Sequence, residues 1–111
     1  MILRRLFARQ PVPEVTPEEA LRRQQAGALI VDVREPEEWR AGHIPGAVHV
    51  PLGELGSRLH ELDAERELIL VCRSGNRSAR ATVLLQQAGF RQVYNLSGGL
   101  IAWTRQRLPL V

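Results

Sequence analysis

The sequence has no lysine and only one cysteine, Cys72, among its 111 residues. A single cysteine excludes an internal disulfide, and a reducing, intracellular compartment is the simplest setting for it. The three histidines do not fall at zinc-ligand spacing with Cys72, so we expect no metal site and no cofactor. The surroundings of the one free thiol are therefore the most informative part of the chain.

Aromatic residues make up only 5% of the chain, and its fifteen basic residues, all arginines, are spread along it. Nucleic-acid binding favours a basic patch with interleaved aromatics, so we expect no nucleic-acid partner. No apolar stretch approaches the roughly 20 residues of a membrane span. The basic start at residues 1–9 also lacks the long apolar region and cleavage site of a secretory signal. We therefore predict a cytoplasmic protein with no membrane partner.

The length fits one domain, and we predict an appended arm at residues 1–13 followed by one domain at residues 14–111. Predicted strands and helices alternate, which indicates an α/β domain with a mostly parallel sheet and helices on both faces. The predicted strands cover residues 12–15, 28–33, 47–50, 68–71 and 93–96, and the predicted helices cover residues 17–25, 35–41, 53–62, 78–88 and 100–107.

Two of these predictions depend on particularly clear patterns. The runs at 28–33 and 68–71 are apolar with little interruption, which is typical of strands covered on both faces in a parallel sheet. The first helix begins with a capping box, in which Thr16 is the N-cap, Pro17 the first helical residue and Glu19 the third. Gly27 is expected to end this helix.

Cys72 directly follows the apolar run at 68–71 and precedes a short polar loop and a predicted helix. At such a strand end, backbone N–H groups and the helix dipole favour a bound anion. The same field lowers the pKa of a thiol and favours thiolate, the nucleophilic form. A buried structural cysteine is the alternative. Two arginines and a glycine within the next five residues favour chemistry over that alternative.

Three stretches of the chain together resemble the rhodanese (thiosulfate sulfurtransferase) family of single-domain proteins. The resemblance covers roughly residues 14–107 and implies a five-stranded parallel sheet flanked by helices. It also implies an enzyme that moves sulfane sulfur from a small donor, such as thiosulfate or a persulfide, to cyanide or a thiol through a persulfide on Cys72. The acceptor could also belong to a relay partner protein. The stretches are Asp32-Val33-Arg34 through Gly42-His43-Ile44-Pro45-Gly46-Ala47, Cys72 through Ser78, and Leu96-Ser97-Gly98-Gly99 with Trp103.

The loop after Cys72 is the predicted substrate-binding segment. A ring of its backbone N–H groups can hold an anionic outer sulfur, and Gly75 allows the loop to curl with a positive φ. Two guanidinium groups are candidates for binding a dianionic donor; the second is favoured because it closes the loop, although either could instead pair with a surface glutamate. The residues of this segment are Arg73, Ser74, Gly75, Asn76 and Arg77.

Three further residues are expected to support the site. Ser78 is predicted to be the N-cap of the following helix. Asp32 is expected to have a structural role, with Arg34 or nearby backbone as its partner, because a carboxylate beside a thiolate would disfavour the charge that the chemistry needs. Arg34 is also predicted to form a local ion pair with Glu37 or Glu38.

His43 and the two tryptophans, Trp39 and Trp103, are expected to be structural. His43 is predicted to hold a turn rather than to act as the base of a Cys–His pair, because loop amides can stabilise the thiolate without one. Trp39 and Trp103 are predicted to lie in the core or in a pocket wall.

Two other functions share this layout. Cysteine phosphatases and arsenate reductases use a thiolate loop with the pattern C-x5-R, whereas the arginine here comes one residue earlier, as Cys72-x4-Arg77. The shorter loop favours a sulfur atom over the larger phosphate. Rhodanese-like domains also serve as persulfide carriers or as inactive binding modules; Cys72 argues against the inactive module but does not separate an enzyme from a carrier.

Overall fold

The computed structural model describes residues 11–111, so most of the predicted arm lies outside the described residues. Within 11–111, five strands alternate with five α-helices, and no helix is long and apolar enough to cross a membrane. The elements are β1 (Glu14–Val15), α1 (Pro17–Gln25), β2 (Leu29–Asp32), α2 (Pro36–Arg40), β3 (Val48–His49), α3 (Leu52–Leu55), a 3-10 helix (Leu59–Glu61), β4 (Leu68–Val71), α4 (Asn76–Gln87), β5 (Val93–Leu96) and α5 (Gly99–Arg105).

The five strands form one sheet in the order β1-β5-β4-β2-β3, and every neighbouring pair is parallel. β4 lies at the centre and pairs with β2 on one side and β5 on the other. The predicted α/β fold with a five-stranded parallel sheet is therefore confirmed. The carboxyl ends of the strands meet at one edge of the sheet, where ligands bind in folds of this kind.

Both faces of the sheet are buried, because side chains alternate between the faces along each strand. Leu68 and Leu70 of β4 belong to one core cluster, and Ile69 and Val71 belong to the cluster on the opposite face. All four side chains have no exposed surface. This double coverage is the reason for the uninterrupted apolar run that precedes Cys72.

At the start of α1, only one of the two hydrogen bonds of the predicted capping box is present. The Thr16 hydroxyl accepts a hydrogen bond from the Glu19 amide at 3.2 Å, and the helix ends before Gly27, which has a φ of 116°. The Glu19 carboxylate does not return to the N-cap amide, because it accepts hydrogen bonds from Arg22 and Arg23 on the next turn.

The predicted helix at 53–62 is wrong. The chain instead forms the four-residue α3 and then the 3-10 helix at Leu59–Glu61. Gly53 and Gly56 lower the helix propensity of this segment, and the Ser57 hydroxyl donates to the Glu54 carbonyl at 3.0 Å. Leu52, Leu55, Leu59 and Leu62 fall at helical spacing, which predicts one helix with two weak glycine positions, but the glycines divide the segment.

The predicted start and buried face of α4 are also wrong. The helix begins at Asn76 with Gly75 as its N-cap, so Ser78 lies in the first turn and does not cap it. The helical spacing of Ala79, Val83, Leu84 and Ala88 predicts a buried face, but Val83 is exposed. The residues of α4 that are buried are Ser78, Ala81, Thr82 and Leu85.

Candidate active site

Cys72 begins the loop that joins the central strand β4 to α4, and only 1% of the residue is exposed. The start of α5 supports this loop from behind. The Leu100 amide donates to the Cys72 carbonyl at 2.9 Å, and the Ile101 amide donates to the Arg73 carbonyl at 3.0 Å. A side chain at Gly99 would place its Cβ 2.5 Å from the Arg73 carbonyl oxygen, so the close approach of α5 requires glycine there.

Within the described residues, three groups donate to the Cys72 sulfur. The Gly75 amide is 3.1 Å from Sγ, and the amide and hydroxyl of Ser78 are each 3.3 Å from it. We call these three donors the sulfur cradle. Gly75 has a φ of 108°, which confirms the predicted left-handed curl. The sequence placed the donors within residues 73–77, so both groups of Ser78 were missed.

The sulfur cradle determines the ionisation of Cys72. Burial raises the pKa of the thiol, but the hydroxyl and amide of Ser78 and the amide of Gly75 outweigh burial, with a further contribution from the backbone of Ser74. The pKa of Cys72 therefore lies below its ordinary value, in the direction that the sequence predicts. When the pKa of a thiol is lowered, a larger fraction of it is the nucleophilic thiolate at neutral pH than in an ordinary cysteine.

Asn95 contacts the sulfur cradle from the neighbouring strand β5. It is 2% exposed, and its Oδ1 lies 2.5 Å from the Ser78 hydroxyl oxygen, so the single hydroxyl proton is shared between Asn95 Oδ1 and the Cys72 sulfur at 3.3 Å. The sequence analysis did not single out this residue. The signal that could have found it is a polar amide inside the short segment of β5. A buried amide needs hydrogen-bond partners, so its presence there indicates a polar contact.

Asp32 and Arg34 form a buried ion pair at the end of β2. The Arg34 Nε donates to Asp32 Oδ1 at 2.9 Å, and its second amino group donates to Asp32 Oδ2 at 2.7 Å and to the Gly42 carbonyl at 2.7 Å. The predicted contact of Asp32 with Arg34 is confirmed. The predicted pairing of Arg34 with Glu37 or Glu38 is wrong, because its guanidinium folds back onto its own strand.

Arg77 is engaged by Glu38 of α2 in a bidentate ion pair, with N–O distances of 2.7 and 2.9 Å. The Arg77 guanidinium lowers the pKa of Glu38 to about 2. Pairing with a glutamate was the alternative that the sequence left open for either arginine. Arg73 makes no ion pair in the described part of the chain, and its exposed side chain lines a cleft of about 320 Å³ beside Leu100 and Ile101.

The histidines and tryptophans are engaged away from the sulfur. His43 stacks on Trp39 with a centroid distance of 3.6 Å, and its Nδ1 is 2.9 Å from the Trp39 carbonyl. Trp103 is fully buried in the core. Among the described hydrogen bonds to Cys72 Sγ, none comes from a histidine. This arrangement agrees with a turn-holding role for His43.

Comparison with known proteins decides the family. A family model described as a rhodanese-like domain matches residues 16–106. The chain belongs to the rhodanese-like domain family. A sulfurtransferase of Allochromatium vinosum is 43% identical over 83 residues, which are 75% of this chain and 78% of that protein. The thiosulfate sulfurtransferase GlpE of Pseudomonas syringae is 36% identical over 89 residues, which are 80% of this chain and 84% of that protein.

A solved structure of the same family agrees with the fold of this rhodanese-like domain. A rhodanese-related protein of Thermoplasma volcanium superposes with a TM-score of 0.82 at 28% identity, covering 89% of this chain and 97% of that one. Together with the named relatives, this similarity supports a sulfurtransferase kind of activity for the rhodanese-like domain.

Proposed function

We propose that this protein is a sulfurtransferase in which Cys72 accepts sulfane sulfur as a persulfide. The observation that carries the proposal is the sulfur cradle: a buried thiol receives hydrogen bonds from Gly75 and from both groups of Ser78. Donors aimed at one sulfur stabilise thiolate before the reaction and an anionic outer sulfur after it. The lowered pKa of the thiol favours thiolate without a proton transfer to a protein base.

The reaction has two displacements. The Cys72 thiolate attacks the outer sulfur of thiosulfate, its electron pair forms the new S–S bond, and the S–S bond of the donor breaks with its pair leaving on sulfite. The enzyme then holds Cys–S–S⁻. A cyanide or thiolate acceptor attacks the outer sulfur, and the departing electron pair restores the Cys72 thiolate, so charge and sulfur balance in both steps. The acceptor is a small molecule or a thiol of a relay partner, and the setting is the reducing cytoplasm.

The charge of the donor is met by the arginines of the loop. Thiosulfate is a dianion, and guanidinium groups bind such oxygens in pairs of hydrogen bonds. Arg77 supplies charge near the sulfur, but Glu38 occupies its guanidinium. Arg73 is exposed and lines the cleft beside the loop. We therefore place Arg73 as the first contact of an anionic donor, with Arg77 beside it.

A phosphatase is the rival enzyme that shares the thiolate loop. Its chemistry needs an arginine free to bind phosphate oxygens at the end of a longer loop. Here the loop from Cys72 to Arg77 is one residue shorter than C-x5-R, and the arginine is paired with Glu38. Both observations favour sulfur over phosphate as the transferred group.

Intact-mass measurement tests the persulfide directly. The purified protein is incubated with thiosulfate, freed of excess donor and weighed beside Cys72→Ser treated in the same way. We expect a gain of about 32 Da, one sulfur, on the wild type and none on the variant. Absence of the gain on wild type, or a gain on both proteins, would contradict the proposal. Turnover of a phosphate ester well above that of thiosulfate would favour the phosphatase instead.

A further inference from the structure

Asn95 makes three hydrogen bonds that involve the loop and the sheet edge. Its Oδ1 accepts from the Ser78 hydroxyl, its Nδ2 donates to the Gly75 carbonyl at 3.1 Å, and the same Nδ2 donates to a Glu14 carboxylate oxygen at 3.1 Å. Glu14 belongs to β1, which pairs with β5. The amide is therefore fixed from one side by the sheet and reaches the loop from the other.

The two loop residues that Asn95 contacts are those that supply the sulfur cradle. Gly75 provides one amide to the sulfur, and Ser78 provides an amide and a hydroxyl. Glycine is the most conformationally free residue type, and the carbonyl of Gly75, which has a φ of 108°, accepts from the Ala79 amide of α4 and from Asn95, each at 3.1 Å. A hydrogen bond to its carbonyl restrains the turn that directs its amide towards Sγ.

We propose that Asn95 is a positioning residue that fixes Gly75 and Ser78 at the distance at which they stabilise an anionic sulfur on Cys72. The proposal rests on the proposed function for its biological meaning. Asn95 does not touch the sulfur itself; it acts through the two residues that do. Without it, the helix bond from the Ala79 amide to the Gly75 carbonyl remains, but the sulfur cradle loses the side-chain contacts that join Gly75 and Ser78 to β5.

The test is the pH profile of Cys72 alkylation by iodoacetamide, which reports one thiol because the chain has one cysteine. In Asn95→Ala we expect a raised pKa of Cys72 and alkylation at neutral pH that is slower by about three- to tenfold, in proportion to the lost thiolate. Gln92→Ala is the matched control, because it removes an amide whose hydrogen bond, to the Glu65 carbonyl, is exposed. That variant should keep the wild-type profile.

A double-mutant cycle with Ser78→Ala shows whether Asn95 acts through Ser78. We expect each single change to raise the pKa of Cys72, and the double variant to raise it by less than the sum. Full additivity would overturn the positioning role. So would a lowered pKa in Asn95→Ala, which would mean that Asn95 Oδ1 draws the single Ser78 hydroxyl proton away from sulfur.

A second variant and the independence of the two assays separate failure of this proposal from failure of the proposed function. Asn95→Ser, a smaller polar change, replaces Asn95→Ala if that variant does not fold, and the same pKa rise is expected. Alkylation is independent of sulfur transfer. An unchanged profile in the Asn95 variants therefore overturns this proposal alone, whereas a wild type that gains no sulfur from thiosulfate overturns the proposed function alone.

Discussion

Arg73 and Arg77 flank the same glycine but have different surroundings. Arg77 forms two hydrogen bonds with the Glu38 carboxylate, and each of these side chains is about one-third exposed or less. Arg73 is exposed at the cleft. A dianionic donor, as proposed, would meet a positive charge at Arg73 that no carboxylate of residues 11–111 pairs with, whereas at Arg77 it would compete with a carboxylate already in place.

This difference predicts how the two arginines affect donor binding. Arg73→Ala should raise the KM for thiosulfate about tenfold, the effect of losing one charged hydrogen-bonding contact, and Arg77→Ala should raise it less. Steady-state sulfur transfer to cyanide measures both. A neutral organic donor serves as the control, because its KM should respond to neither change. An equal rise for both donors would contradict the oxyanion contact.

At the scale of elements, the loop after β4 is shaped by the start of α5. Two amides of α5 bond the carbonyls of Cys72 and Arg73, and this pairing requires the backbones to lie nearly in contact at Gly99. Gly99 has a φ of 60°, and its position leaves no room for a side chain. The glycine pair after β5 is therefore part of the site, although neither glycine contacts the sulfur in the described hydrogen bonds.

Gly99→Ala is expected to disturb both stability and reactivity. A Cβ there would lie 2.5 to 2.6 Å from backbone atoms of Arg73 and Cys72, so the loop must shift. We expect a loss of about 1–3 kcal/mol in unfolding free energy, measured by urea denaturation, and slower alkylation of Cys72. Gly53→Ala is the control, because no atom lies within 4 Å of a Cβ at that position. Equal stability of the two variants would contradict the steric argument.

The elements show what the sequence could predict. The apolar runs at 28–33 and 68–71 led correctly to interior strands covered on both faces, because burial on both faces leaves a strong pattern. Helix ends were predicted less well. Ser78 has the residue type of an N-cap, yet its hydroxyl contacts the sulfur and Asn95, and the left-handed Gly75 is the N-cap of the helix. Such tertiary contacts leave no local signature in the sequence.

At the scale of the whole molecule, the ion pair between Glu38 and Arg77 joins α2 to α4 across 39 residues of sequence. The folded protein holds the pKa of Glu38 at about 2, below its ordinary value of 4.5. A depressed carboxyl pKa stabilises the folded state fully above the ordinary value. That contribution is lost as the pH falls through the interval from 4.5 to about 2.

Glu38→Gln should therefore change the acid stability of the fold. Above about pH 5 we expect the variant to unfold about 1 kcal/mol more easily than wild type, a modest value because the pair is partly exposed. The difference should shrink steadily as the pH falls towards 2, as urea titrations at each pH would show. Glu37→Gln, on the same turn and without an ion pair in the described structure, is the control. A difference that is constant with pH would contradict the ion-pair explanation.

The lone buried cysteine also limits how far the chain can go by itself. A second thiol in the same chain could attack the inner Cys72 sulfur of the persulfide, form an internal disulfide and expel the outer sulfur as hydrosulfide, but these 111 residues contain no second cysteine. After one encounter with donor, the proposed persulfide therefore waits for an acceptor that must come from outside. Without an acceptor, the release of sulfite from thiosulfate should stop at one equivalent per chain. The amount of sulfite released in this burst therefore measures the fraction of protein molecules that have a competent active site.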